Sequence, residues 1–356
     1  MRVVHIIDDA GFGGVVRYID TLKEALGDAV HHDRVVVDTG SVRLPRLDGD
    51  VVVLHATVAW RKVPFFLALR LATRGRMLVL VEHSYTEAYE RLKVGNIARF
   101  RNLLRFCYGR ADRVVAVSYG QAAWMRRAHL LPATRLVVIP SFTDVAGLRQ
   151  IALPKDGARP LRLGAFGRYA EQKGFDVLIE AMRQVPAEVA TLELRGLGPD
   201  ADALKARAAQ LDHVRVGDAV ADVPAFLSSV DVVVVPSRWE AFGQVALEAR
   251  AAGRPVIASA VDGLVEQIEA DAGLLVEPDE AALLAQAIRS LSGYDGLEAM
   301  AQAARLSARD HAARSIAAWH DLLAGVSAHR SPVRLRLQSE ASGDASTDRG
   351  DATRAA

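Results

Sequence analysis

Two glutamates eight positions apart, Glu240 and Glu248, flank Gly243 in a run that follows the apolar stretch Val232–Val235. The pattern predicts a buried strand ending at Pro236, a loop carrying Glu240, and a helix opening at Gly243. That helix bears Glu248 about a turn and a half in. Unbonded N–H groups at a helix N-terminus attract phosphate, and a glycine there lets the backbone approach closely. Two carboxylates beside such a site would repel an anion alone. They suit a ligand that also carries hydroxyls, as the sugar and ribose of a nucleotide sugar do. Upstream, Arg168 and Lys173 stand five positions apart after the apolar run Leu161–Phe166. Breaking a sugar–phosphate bond leaves a nucleoside diphosphate. An arginine fork and a lysine point charge can neutralise its growing charge without metal.

These stretches resemble retaining glycosyltransferases of the GT-B fold, specifically family 4, the group 1 transferases. Glu240 and Glu248 match the family's E-x7-E motif. Phe166-Gly167-Arg168 with Lys173–Ile179 resembles its phosphate-binding segment, and Gly196-Leu197-Gly198-Pro199 its G-x-G-P turn. Ala252–Ala258, followed by Gly263 and Glu266, resembles the next two stretches. The likeness is strong over residues 160–290 and weak over 1–150. It implies retaining, metal-independent transfer of a sugar from a UDP- or GDP-sugar to a saccharide or lipid-linked acceptor, in bacterial polysaccharide or glycolipid synthesis. It also implies roles. Glu240 would orient the transferred sugar and Glu248 the ribose. Arg168 and Lys173 would stabilise the departing diphosphate. The backbone around Phe242, Gly243 and Gln244 would hold the distal phosphate, with Gly198 against the nucleotide. His83, just past the strand Met77–Val81, would face the donor sugar. No cofactor beyond the co-substrate is expected. One departure stands in Pro140-Ser141-Phe142-Thr143-Asp144, where relatives tend to have Pro-Asn-Gly-Val-Asp.

Other patterns invite rival readings. Gly11-Phe12-Gly13-Gly14 follows the first strand and opens a helix near Val15, and Asp38 ends the second strand, as in dinucleotide-binding oxidoreductases. A G-x-G-x-x-G from Gly11 needs glycine where Val16 stands, so the match fails. The resemblance instead places Gly13 and Gly14 in a loop facing the cleft. A non-catalytic sugar-nucleotide-binding protein is the other alternative. Asp48-Gly49-Asp50 precedes a strand and reads as a turn rather than a metal-binding pair. With one cysteine, Cys107, and no Cys/His cluster, no metal site is expected.

The elements that must position these residues alternate along 356 residues, enough for two sizeable domains. Strand candidates are Val3–Ile7, Arg34–Val37, Val51–Leu54, Met77–Val81, Arg113–Val117 and Leu136–Ile139. The second set is Leu161–Phe166, Thr191–Leu194, Val214–Val216, Asp231–Val235, Pro255–Ala258 and Gly273–Val276. Helical patterns lie between most of them, so the expected class is α/β: two Rossmann-like, doubly wound domains facing across a cleft, GT-B in the family's terms. The expected acceptor domain is residues 1–150 and the donor domain 155–305. A helix within 308–325 crosses back onto the first, and residues 331–356 have a disordered composition.

The net charge of +1 hides an asymmetry. Residues 1–150 hold 22 Lys/Arg against 14 Asp/Glu, and residues 151–356 hold 22 against 29. Between Arg91 and Arg135 ten basic residues face one acid, Asp112. Within this region the segment Ile97–Cys107 places Ile97, Phe100, Leu103, Leu104 and Cys107 on one helical face, with Arg99, Arg101 and Arg105 outside it. Such a patch predicts contact with anionic lipid at a membrane surface. Aromatic interleaving is too sparse for nucleic acid. The N-terminus reads as a strand rather than a signal peptide, and no run is long enough to span a membrane, so a cytoplasmic protein is expected.

Overall fold

The computed structural model describes residues 1–8, 14–157, 159–269 and 271–330. The loop expectation for Gly13 and the composition-based expectation for 331–356 lie outside these residues. All twelve expected strands form, with no end shifted by more than three residues. The first six are β1 (Arg2–Ile7), β2 (His31–Val36), β3 (Val51–His55), β4 (Met77–Glu82), β5 (Arg113–Ala116) and β6 (Leu136–Val138). The second six are β7 (Leu161–Arg168), β8 (Ala190–Leu197), β9 (Val214–Gly217), β10 (Val232–Val235), β11 (Val256–Ser259) and β12 (Gly273–Val276). Helices alternate with them. In the first half they are α1 (Gly14–Leu26), α2 (Val63–Ala72), α3 (Glu87–Lys93), α4 (Ile97–Tyr108) and α5 (Tyr119–Arg127). The rest are α6 (Phe175–Met182), α7 (Ala201–Ala208), α8 (Val223–Ser228), α9 (Gln244–Ala251), α10 (Ala281–Leu291), α11 (Leu297–Ser307) and α12 (His311–Arg330).

Two all-parallel sheets result, in the orders β2-β1-β3-β4-β5-β6 and β12-β11-β10-β7-β8-β9. The inner strands β1, β3, β4 and β10 are buried without alternation because helices cover both faces; Val232–Val235 is at most 5% exposed. In open sheets of this kind the crevice lies beyond the strands' C-terminal ends, where the strand order reverses. Those points fall between β1 and β3 and between β7 and β10. The loops after β7 and β10 carry Arg168, Lys173, Glu240 and Gly243, so the second switch point is where the predicted chemistry sits.

The two sheets share one apolar cluster, joining Val3, Tyr18 and Val53 to Val233, Phe242 and Trp319. Helix α12 contributes to it by lying on α1, with Trp319 Nε1 donating to Tyr18 Oη at 2.6 Å. Helix α4 packs as its pattern predicts at Leu103, Leu104 and Cys107, but Ile97 at its first position is 43% exposed. The first turn projects beyond the sheet, where periodicity alone brings no covering partner.

Candidate functional site

The site is built around α9. Gly243 precedes it with φ +95°, and a Cβ there would stand 2.5 Å from Leu264 Cδ2, so only glycine fits this left-handed entry. The loop before it holds Glu240, 9% exposed. Its Oε2 accepts from Lys173 Nζ and, at 3.3 Å, from Ser237 Oγ. Lys173 ends a 3-10 turn, and Gly174 with φ +62° then turns the chain into α6. A Cβ on Gly174 would fall 2.0 Å from Pro236 O, so the β7 and β10 loops are locked together there. Arg168 stands exposed at the end of β7. Gly196 and Gly198 pass so close to the segment after β7 that Cβ atoms would meet Gly167 O at 2.0 Å and Tyr169 O at 2.2 Å. Both glycines are thus required by packing.

Glu248 lies on the fifth residue of α9 and is 3% exposed, far from a solvated helix acid. Its Oε1 meets Arg17 Nη1 of α1 at 3.4 Å, while Oε2 is buried without a hydrogen-bond partner. Burial, opposed by Arg17, pushes its pKa up to about 7. An unpartnered carboxylate oxygen is costly, and a ligand hydroxyl would satisfy it. The cleft beside it encloses about 360 Å³, lined among others by Arg17, Thr143, Asp144 and Glu248. Opposite α9, a Cβ on Gly14 would come within 3.0 Å of Gln244 Oε1, and Gln244 Nε2 reaches Ser141 Oγ at 3.4 Å. The first residue of α9 therefore touches both the Gly14 turn and the segment that departs from the family pattern.

Phe242 is placed otherwise than a ligand contact by its side chain would need. Its ring is buried, 5.2 Å between centroids from His311, and its carbonyl accepts from Gln267 Nε2. Its backbone leads directly into Gly243, the residue before α9. His83 follows β4 on a turn fixed by buried Glu82, which accepts from the N–H groups of Ser84 and Tyr85 at 2.8 and 3.0 Å and from Tyr108 Oη at 2.7 Å. Its Nε2 pairs with His55 Nδ1 at 2.9 Å. Asp38 forms a turn with Gly40 N at 2.8 Å, two residues past the end of β2. Asp48 pairs with Arg46 at 2.8 Å and Asp50 accepts from Arg2 N at 2.9 Å, both at the end of β3 remote from the cleft. Among the described residues no three His, Cys, Asp or Glu side chains gather as a metal group would need.

Several partners escaped the sequence reading because they act across long separations. Asp262, with φ +42°, receives Glu240 N at 3.2 Å and Ala88 N of α3 at 3.1 Å. Glu266 receives Gly120 N at the start of α5 at 2.8 Å. One loop of the second half thus places carboxylates on two helix starts of the first, where the helix dipoles favour them. Arg17 was equally invisible, although an arginine one turn into the helix after a glycine turn is a pattern a reader could test. Much of the basic region is also spoken for. Arg101 forks onto Glu90, Arg105 donates to the carbonyls of Ala128 and His129, and Arg127 pairs with Glu87. Arg99 instead lies over exposed Trp60, 5.3 Å from the ring centre.

Comparison with known proteins agrees with this architecture. The family described as "Glycosyl transferases group 1" matches residues 160–293, and "Glycosyltransferase Family 4" matches residues 42–146. A phosphatidyl-myo-inositol mannosyltransferase of Mycolicibacterium smegmatis is 32% identical, over 74% of this chain and 68% of its own length. A D-inositol 3-phosphate glycosyltransferase of Xylanimonas cellulosilytica is 31% identical over 61% of this chain and 56% of its own. This chain spans about half the length of the inositol phosphate glycosyltransferases it matches. Among solved structures, sucrose-phosphate synthase from Thermosynechococcus elongatus superposes with a TM-score of 0.74 at 23% identity, covering 92% of this chain and 99% of the other. HepE from Anabaena, in complex with UDP-glucose, gives 0.69 at 19%, covering 92% and 100%. With two GT-B-type sheets, both family descriptions falling in order on them, and a mannosyltransferase matched over two thirds of its length, the chain belongs to the group 1 glycosyltransferases of family 4.

Proposed function

We propose that this protein transfers a sugar from a nucleoside-diphosphate sugar to an acceptor hydroxyl in bacterial glycan synthesis, with retention of configuration and without a metal ion. The observation that carries the reading is Glu248: a carboxylate 3% exposed whose Oε2 has no protein partner, beside the N-terminus of α9. Ribose hydroxyls fit that oxygen and a distal phosphate fits the helix start, with Glu240 holding the sugar's hydroxyls. Lys173 and Arg168 supply cationic charge at the diphosphate end, the role a metal would otherwise fill. Among the described residues no side chain stands as an obvious covalent nucleophile. Front-face attack, with the leaving phosphate helping to take the acceptor's proton, follows from the family likeness. Neighbours in structure bind UDP and UDP-glucose, which favours a UDP-sugar as the first donor to try.

The acceptor would enter from the first domain. Exposed Trp60 with Arg99 over its ring, and exposed Ile97 nearby in sequence to Arg99, support peripheral contact with anionic lipid, as a lipid-linked acceptor would require. No described helix is long and apolar enough to cross a membrane.

The test is thermal denaturation with UDP, GDP, ADP and NAD in chelator, followed by transfer assays with the matching donors and NMR of the product's anomeric proton. Stabilisation by one nucleoside diphosphate and a product of unchanged configuration are expected. A shift with NAD alone would return the oxidoreductase reading of the Gly11–Gly14 sequence. Binding without turnover over a broad acceptor panel would favour a non-catalytic member.

A further inference from the structure

Four histidines form a continuous hydrogen-bonded chain through the first sheet, and the family resemblance gives a role to only one of them, His83. His32 lies on β2, His5 on β1, His55 ends β3, and His83 follows β4; these four strands are neighbours in that order. His32 Nδ1 meets His5 Nε2 at 2.8 Å, His5 Nδ1 meets His55 Nε2 at 3.0 Å, and His55 Nδ1 meets His83 Nε2 at 2.9 Å. Successive rings stack with centroids 5.1 to 5.3 Å apart. Tyr18 closes the cleft end, its ring edge-on to both His55 and His83.

All four rings are neutral. Burial pulls the pKa of His5 down to about 3, of His32 and His83 to about 4, and of His55 well below the ordinary value. A neutral imidazole donates from one nitrogen and accepts at the other, so each ring dictates its neighbour's tautomer. Every link joins an Nδ1 to an Nε2. Only two arrangements satisfy all three bonds: four Nδ1–H rings, or four Nε2–H rings.

The far end decides between them. His32 Nε2 is buried without a hydrogen-bond partner. The second arrangement would strand a proton there; the first strands only a lone pair, and orphaned buried N–H groups are the rarer of the two. On His32 the acting charges are Lys23 on the positive side and Asp33 on the negative, with His31 beside them, and Arg34 adds positive charge at the next ring, His5. The positive majority favours a lone pair.

We propose that this chain is a tautomer lock, in which His5, His32 and His55 act as positioning residues that hold His83 as the neutral Nδ1–H form. His83 then meets the ligand as a hydrogen-bond donor. Its Nε2 lone pair is occupied by His55 and its Nδ1 carries the proton, so the ring has no site free to take the acceptor's proton. What His83 donates to rests on the nucleotide-sugar reading; the tautomer does not.

The experiment is long-range proton–nitrogen correlation NMR on the whole protein labelled with nitrogen-15 histidine, at pH 7. Single replacements assign the four rings among the ten histidines. The expected result is Nδ1–H for all four, against the Nε2–H form that free histidine prefers. An Nε2–H or imidazolium signal from any of them overturns the lock. In H5L, His55 and His83 should revert to the Nε2–H or a mixed form, and H32L gives the same readout should H5L not fold. An unchanged His83 in either variant overturns the positioning role. Turnover should fall roughly 10- to 100-fold in H5L, the cost typical of an outer hydrogen-bond partner. The acceptor's KM should hold, and H32L should add nothing once the chain is cut. Locked tautomers in a protein that transfers no sugar would leave the lock standing and sink only the transferase reading.

Discussion

Replacing Glu248 with glutamine should stabilise the unliganded protein while weakening its hold on nucleotide. The carboxyl's pKa is about 7 in the fold, against a reference value of 4.5. A carboxyl whose folded pKa lies above its unfolded one binds its proton more readily in the native state. Native stability therefore falls as pH rises from 4.5 to 7, and the full cost is present above that window. At 1.36 kcal/mol per pH unit the difference amounts to about 3 kcal/mol. E248Q removes it, and the Arg17 contact, 3.4 Å long, is already counted in that pKa. A net gain of about 3 kcal/mol at pH 8 follows, or about 4 °C in Tm at the usual unfolding entropy per residue. It should vanish near pH 4, where the wild-type carboxyl is protonated in both states. Ligand binding should move the opposite way. A neutral amide replaces a charged acceptor of ribose hydroxyls, weakening nucleoside diphosphate roughly 10- to 100-fold. Calorimetric melts across pH and titration with UDP read both effects. A variant that melts below wild type at pH 8, or binds UDP equally well, refutes the reasoning.

The two cations of the site should separate by burial. K173M leaves Glu240 buried without its cation and should cost about 3 kcal/mol of stability as well as activity, read by chemical denaturation. R168A removes an exposed group, so stability should stay within ~0.5 kcal/mol while kcat drops roughly 100- to 1,000-fold; a normal kcat would exclude Arg168 from the diphosphate. G243A forces a side chain into φ +95° and against Leu264, and should lower stability by at least ~1–3 kcal/mol and abolish nucleotide-dependent stabilisation.

Local sequence dictates the strands, because β-branched runs bounded by Pro, Gly and Asp can do little else in a chain whose helices cover both sheet faces. It also determined the loop chemistry after β7 and β10. A left-handed Gly243 before a helix, a glutamate on each side of it and a pair of upstream cations are local features, each readable within a dozen residues. Burial was not readable. Glu248 is buried because α1 brings Arg17 over it, and the Phe242 ring because α12 brings His311 against it. Arg17 lies 231 residues from Glu248, and Asp262 is 174 from Ala88, so no spacing rule could join them. The histidines at 5, 32, 55 and 83 are unremarkable one at a time. Only parallel pairing in the order β2-β1-β3-β4, with each ring on the same sheet face, turns them into a single chain. Periodicity fixes which face of a strand a side chain takes, whereas its neighbour across the sheet is set by strand order, which is decided only when the whole domain closes.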